Sequence, residues 1–144
     1  MYLSAKRYLA EYLPEEKILA QELNSALNSK MGSVTHVTIE VGYWRKANAI
    51  HRWFVQNVQD GLDECQESEV SLGQLVELQA IVDMVLNDKS LAHELLPPSE
   101  GFFFGSDDID EYYIDRLQHT KEILDKILSN PDSGNWNFYY QASW

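Results

Sequence analysis

Two short segments of this chain alternate apolar and polar residues, whereas most other apolar residues recur at the spacing of an α-helix. In residues 34–43, apolar side chains occupy every second position from Val37 to Tyr43, and residues 135–143 alternate in the same way. Alternation is typical of a strand that buries one face, and each strand needs a partner for its backbone hydrogen bonds. The sequence therefore predicts an α+β fold, a mainly helical single domain over residues 1–144, with a small two-stranded antiparallel sheet formed by residues 34–43 and 135–143.

Helical spacing accounts for most of the remaining apolar residues. Ser71 followed by Gln74 has the spacing of a capping box at a helix start. The segment after it is apolar on most sides, which predicts a central helix packed on several neighbours. The predicted helices cover residues 4–12, 14–32, 44–59, 71–87 and 107–129.

The charge balance is the unusual part of the composition. Eleven Lys and Arg residues against 23 Asp and Glu residues give a net charge of −12. Because binding to duplex DNA or an acidic membrane needs many cations, neither is an expected partner. The single cysteine, Cys65, excludes an internal disulfide and fits a reducing cytoplasm. No apolar run reaches the ~20 residues of a spanning helix, and no metal-ligand spacing or cofactor motif is present, so no metal and no cofactor are expected.

One segment of this acidic chain is cationic: from Val41 to Gln59 it contains three basic residues and no acid. Arginine beside aromatic residues is the combination that binds phosphate and stacks on a base. Asn48 and His51 fall on the apolar side of the helical wheel, where they would supply directional hydrogen bonds to a base or a ribose. The residues predicted to bind a small nucleotide are Tyr43, Trp44, Arg45, Asn48, His51 and Arg52.

Each of these features has a structural alternative. His51 could be a core histidine bonded to a neighbouring backbone carbonyl, and the cations could pair with the acidic connector at residues 60–69. Trp53 falls on the polar side of the same helix, which favours an interface with a second copy or another protein slightly over local burial. In residues 101–106, three consecutive Phe lie between glycines and cannot all face one core, so Phe103 joins the predicted ligand-binding residues.

Residues 43–55 (YWRKANAIHRWFV) and residues 101–113, which contain GFFFGS and DEYY, resemble a family of small bacteriophage-encoded proteins of unsettled activity. The resemblance covers about residues 40–120. It implies a phage origin and action in the cytoplasm of an infected bacterium, and it transfers no catalytic residue.

Three functions remain open at this point. The first is a non-enzymatic phage counter-defence protein that sequesters a small nucleotide, such as a cyclic-nucleotide immune signal, without converting it. The alternative is an acidic inhibitor that binds a host defence protein directly, since a −12 surface can imitate nucleic acid. The third is a nucleotide-processing enzyme with His51 as acid or base, for which no second catalytic group is identified. Because a two-stranded sheet is marginal alone, we also expect a homo-oligomer.

Overall fold

The computed structural model describes residues 1–10, 12–28, 30–99 and 108–143. The strands are β1 (Tyr2–Tyr8), β2 (His36–Tyr43), β3 (Ser68–Val70) and β4 (Asn137–Gln141). The helices are α1 (Pro14–Ala26), α2 (Asn48–Asn57), α3 (Leu72–Asn87), α4 (Ala92–Leu95) and α5 (Glu111–Leu128). Short 3₁₀ turns cover Lys89–Leu91 and Ser133–Asn135.

The sheet has four strands in the order β2-β1-β4-β3, and each strand is antiparallel to its neighbours. The predicted two-stranded sheet is therefore wrong, although the α+β class is right. Residues 34–43 and 135–143 do contain strands, but β1 lies between them and pairs with both. Ala5 at its centre is opposite Ile39 on one side and Phe138 on the other.

The amino-terminal strand replaces a predicted helix. Leu3 and Ala5 point to the same face of the sheet and are both buried, whereas Ser4 and Lys6 point to the other face. Lys6 there pairs with Glu67 at 2.6 Å. The segment satisfies its backbone bonds through two neighbouring strands, which outweighs the helix propensity of its residues.

The core lies between one face of the sheet and the helices. Leu3, Val70, Phe138 and Tyr140 supply the sheet side, and helices α2, α3 and α5 supply the other side. Phe54 of α2 stacks on Tyr140 of β4, with ring centroids 4.0 Å apart and planes 7° apart. This contact fixes the helix that carries most of the predicted ligand-binding residues onto the centre of the sheet.

Two helices differ from their predicted surroundings. The capping box of Ser71 and Gln74 is present at the start of α3, but Val76 and Met84 on the same helix are about half exposed. The helix therefore buries one face rather than all sides. Helix α1 has no buried residue at all, so it protrudes from the β1–β2 connection.

Of the helices that the structure describes, none has the length and apolar content that crossing a bilayer requires.

Candidate functional site

The junction between β2 and α2 determines where the cationic segment points. Strand β2 ends at Tyr43, and Lys46 has a φ of 57°, in the left-handed region. A non-glycine residue there costs about 1–2 kcal/mol, and such residues concentrate at functional sites. Helix α2 then begins at Asn48 with Ala47 as its N-cap, which has no side chain able to cap the first turn.

Trp44 is an anchor between this junction and α5. Its indole is 1% exposed, and its Nε1 donates a hydrogen bond to Thr120 Oγ1 at 2.9 Å. The Thr120 hydroxyl in turn donates to the backbone oxygen of Arg116 at 2.7 Å. An indole this deeply buried could stack on a base only by leaving the core, so Trp44 has a structural role here.

His51 is buried and bonded at both ring nitrogens. The Tyr140 hydroxyl lies 2.7 Å from Nδ1, and Asp63 Oδ2 lies 3.1 Å from Nε2. Burial, followed by the negative charge of Asp63, raises the pKa of Tyr140 far above its usual range. The phenol therefore stays neutral and donates to Nδ1, which leaves Nε2–H to donate to the carboxylate. The structural alternative for His51 was a hydrogen bond to a backbone carbonyl; its ring nitrogens are instead bonded to the side chains of Tyr140 and Asp63.

The other predicted ligand-binding residues are separated from one another. Tyr43 is 44% exposed, and its ring lies against that of Tyr2 with centroids 5.2 Å apart. Asn48 is buried and donates to the backbone oxygen of Ser99 at 3.1 Å. Arg45 is exposed, and Phe103 lies outside the described residues.

A cleft of about 230 Å³ opens at the amino-terminal ends of α2 and α5. We name it the Lys46 cleft. Two basic side chains line it, Lys46 from the junction and Arg116 from α5, together with the 72% exposed Tyr112. The described residues that line it are Lys46, Ala47, Asn48, Ala49, Ile50, Asp108, Asp110, Tyr112, Tyr113, Arg116 and Leu117.

A second groove, of about 220 Å³, lies between α2, α3 and α4. Arg52 and Trp53 line it. Trp53 is 5% exposed, and its ring makes an edge contact with that of Phe54, with centroids 5.3 Å apart. The structure shows local burial of Trp53, the less favoured of the two alternatives, because residues of α3 and α4 lie on that side of α2 as well. An interface is therefore not needed to explain its burial.

The acidic connector does not neutralise the cationic segment. Glu67 pairs with Lys6, and Asp63 lies against His51. Among the described residues, no ion pair involves Arg45, Lys46, Arg52 or Arg116. In a chain with about twice as many acids as bases, cations that have no ion pair among the described residues are notable, and Lys46 and Arg116 line the same cleft.

Comparisons with protein-family models, with curated proteins and with solved structures find no match to this chain. Within the described ranges, no group of three or more His, Cys, Asp or Glu side chains is placed to hold a metal ion.

The sequence reasoning missed the residues that α5 and β4 bring to α2. Tyr112 and Arg116 lie more than sixty positions beyond Lys46, and Tyr140 lies still further along the chain. On an ideal helical wheel through residues 44–59, Lys46 points away from Arg45 and Arg52, so the sequence does not group it with the predicted ligand-binding residues. In the structure Lys46 has a left-handed backbone conformation and precedes α2, so the helical wheel does not apply to it. No local sequence pattern indicates this conformation.

Proposed function

We propose that the protein binds a small nucleotide in the Lys46 cleft and holds it without chemical conversion. The observation that carries the proposal is that two basic side chains, Lys46 and Arg116, have no ion pair among the described residues and line one cleft beside an exposed tyrosine, in a chain of net charge −12. Such an arrangement suits a small anion with a planar group. It does not suit a polyanion, which needs many more cations.

The phosphate end of the ligand would lie between the two basic side chains. Arg116 can form bidentate hydrogen bonds to phosphate oxygens, and Lys46 adds a compact charge. The amino-terminal end of α2 faces the same cleft and has no acidic residue in its first turn. The positive end of its helix dipole therefore adds to the attraction for an anion.

The sugar and base have partners in the same lining. Asp108 and Asp110 would repel a phosphate, but a carboxylate accepts hydrogen bonds from ribose hydroxyls, so they favour one orientation of the ligand. A volume of about 230 Å³ is below the ~300 Å³ lower end of ordinary ligand pockets. We therefore assign the cleft to phosphate and ribose, with the base stacked on Tyr112 at its rim.

The burial and the hydrogen bonds of His51 support the proposal that the ligand is bound without conversion. The imidazole that the sequence offers as a general acid or base is 3% exposed and bonded to Tyr140 and Asp63. Combined with the resemblance to small phage proteins, this favours a counter-defence role. In that role the protein would sequester a cyclic-nucleotide immune signal in the cytoplasm of the infected bacterium.

We also propose that the protein forms a homo-oligomer. Helix α1 buries none of its residues, and Leu13, Ile18 and Leu19 on and beside it are exposed. A helix of this length is marginal in water by itself. Covering α1 with a second copy would stabilise it, and a larger cyclic nucleotide could then use the clefts of two copies. Sedimentation or light scattering of the pure protein tests this; a strictly monomeric mass at high concentration contradicts it.

The experiment for nucleotide binding is calorimetric titration with a panel of mono-, di- and cyclic nucleotides. Arg116→Gln should weaken binding roughly 10- to 150-fold, which corresponds to losing about 1.5–3 kcal/mol from a charge-assisted contact. Arg45→Gln removes the same charge outside the cleft and should change affinity no more than about fivefold, because an exposed charge contributes below about 1 kcal/mol. Mass spectrometry of the released ligand should find it unchanged.

An acidic inhibitor of a host protein is the second candidate, and one observation favours it. Asp60, Glu64 and Glu69 are exposed on the acidic connector, and among the described residues no cation pairs with them. The surface they form could attract a basic groove. If no nucleotide binds at millimolar concentration while a basic host protein co-elutes, and replacing these three acids by amides abolishes the co-elution, this candidate replaces the first.

A further inference from the structure

The groove between α2, α3 and α4 holds two opposite charges that do not pair with each other. We name it the Arg52 groove. Arg52 and Glu77 both line it, yet no ion pair joins them. Ile81 and Leu95 supply apolar walls. A groove of about 220 Å³ that offers a cation, an anion and an apolar surface is complementary to a small molecule that carries an anionic group, a cationic group and an apolar group.

The guanidinium of Arg52 is also incompletely bonded. Its Nε is shielded from water, and among the described residues it has no hydrogen-bond partner. Buried donors are nearly always satisfied in folded proteins, and an unsatisfied one carries a desolvation cost. Because a ligand in the groove cannot reach the covered Nε, a carboxylate would be bound by the terminal Nη groups of this partly buried side chain, which can donate two parallel, charge-assisted hydrogen bonds.

We propose that the Arg52 groove is a site for a free α-amino acid with an apolar side chain. The ligand's carboxylate accepts hydrogen bonds from Arg52, its ammonium group meets Glu77, and its side chain packs between Ile81 and Leu95. The groove is small for a drug-sized ligand, which favours a molecule of amino-acid size. Because Arg52 does not line the Lys46 cleft, this site is separate from the one proposed for the nucleotide.

The test is calorimetric or NMR titration of the full chain with L-leucine, L-methionine and L-phenylalanine. Each half of the zwitterion has a matched probe: leucinamide lacks the carboxylate and N-acetyl-leucine lacks the ammonium group. We expect binding of at least one amino acid and a roughly 10- to 150-fold loss of affinity for its amide and its N-acetyl derivative. Arg52→Gln and Glu77→Gln should cause losses in the same range.

Thermal melts establish that the variants remain folded. Arg52→Gln should keep or raise the melting temperature, because it removes the buried unpaired donor. Glu122→Gln, which replaces an exposed acid on α5, is the charge control for Glu77→Gln and should leave amino-acid affinity unchanged.

Three results would overturn the proposal. The first is no binding of any of the three amino acids at millimolar concentration. The second is equal affinity for leucine and its blocked derivatives. The third is that Arg52→Gln weakens nucleotide binding as strongly as Arg116→Gln does, because Arg52 would then belong to the nucleotide site. Nucleotide binding unaffected by Arg52→Gln, together with lost amino-acid binding, supports two separate sites.

Discussion

Replacing Tyr140 by phenylalanine tests the hydrogen-bond chain that joins α2 to the sheet. The variant keeps the ring that stacks on Phe54, so it creates no large cavity and loses little apolar burial. It removes the hydroxyl 2.7 Å from His51 Nδ1 and leaves that buried nitrogen without its donor. Leaving a buried polar atom unsatisfied costs about 1–3 kcal/mol. We therefore expect Tyr140→Phe to lower the free energy of unfolding by that amount.

The neighbouring residue provides the matched control. Tyr139 lies on the solvent face of the same strand, where its ring contacts the Lys6 ammonium group at 4.4 Å, a contact that phenylalanine keeps. In urea unfolding, Tyr140→Phe should lower the midpoint by roughly 0.5–1.5 M at an unchanged slope, for a typical slope of about 2 kcal/mol per M. Tyr139→Phe should leave the midpoint nearly unchanged. Equal midpoints for the two variants would refute the argument that the His51 contact stabilises the fold.

Three further predictions concern packing and pH. Gly42→Ala should destabilise by about 1–3 kcal/mol, because the new Cβ would lie 2.9 Å from Ile123 Cγ2; a melt at the wild-type temperature would contradict this. Phe54→Ala should cost about 3–5 kcal/mol in chemical denaturation, since the ring is fully buried; a cost below about 1 kcal/mol would mean that the face of α2 is misassigned. Burial raises the pKa of Tyr113 to about 12, so its neutral phenol contributes stability that is complete below the unfolded pKa of about 10. That contribution is lost as pH rises from about 10 to about 12, and Tyr113→Phe should flatten the decline measured by denaturation across this interval.

The inward face of α2 was predictable from the sequence, because its apolar residues follow a helical period. On a helical wheel Ala47, Ile50 and Phe54 share the apolar side with Asn48 and His51, and all five residues are buried. For Trp53 the sequence left local burial and an interface both open, because the covering of this side by α3 and α4 depends on tertiary packing that one helix does not encode.

The sheet was predicted incompletely for a different reason. Leu3 and Ala5 alternate with Ser4 and Lys6, but the segment is short, and several of its residues are common in helices, so its period is ambiguous. Strand β3 has three residues inside an acidic segment and has no readable period. Because β1 is not recognisable as a strand in the sequence, the two recognisable strands are predicted to pair with each other.

The candidate site could be located only in part from the sequence. The cationic segment contains Lys46, which lines the cleft proposed as the nucleotide site, and it stands out because three bases without an acid are unusual in a −12 chain. The sequence does not assign Lys46 to the ligand-binding residues, because the position of its side chain depends on the left-handed turn between β2 and α2. Arg116 comes from a helix distant in sequence, and no local pattern connects it to that turn.

The most direct test of the nucleotide proposal is the affinity of Lys46→Gly measured beside its stability. Glycine suits the left-handed backbone at this position, so the variant should unfold at the wild-type denaturant concentration or slightly above it. Removing the ammonium group should nevertheless weaken binding of the best nucleotide roughly 10-fold or more. Wild-type affinity in a stably folded Lys46→Gly protein would contradict the claim that this cleft holds the ligand.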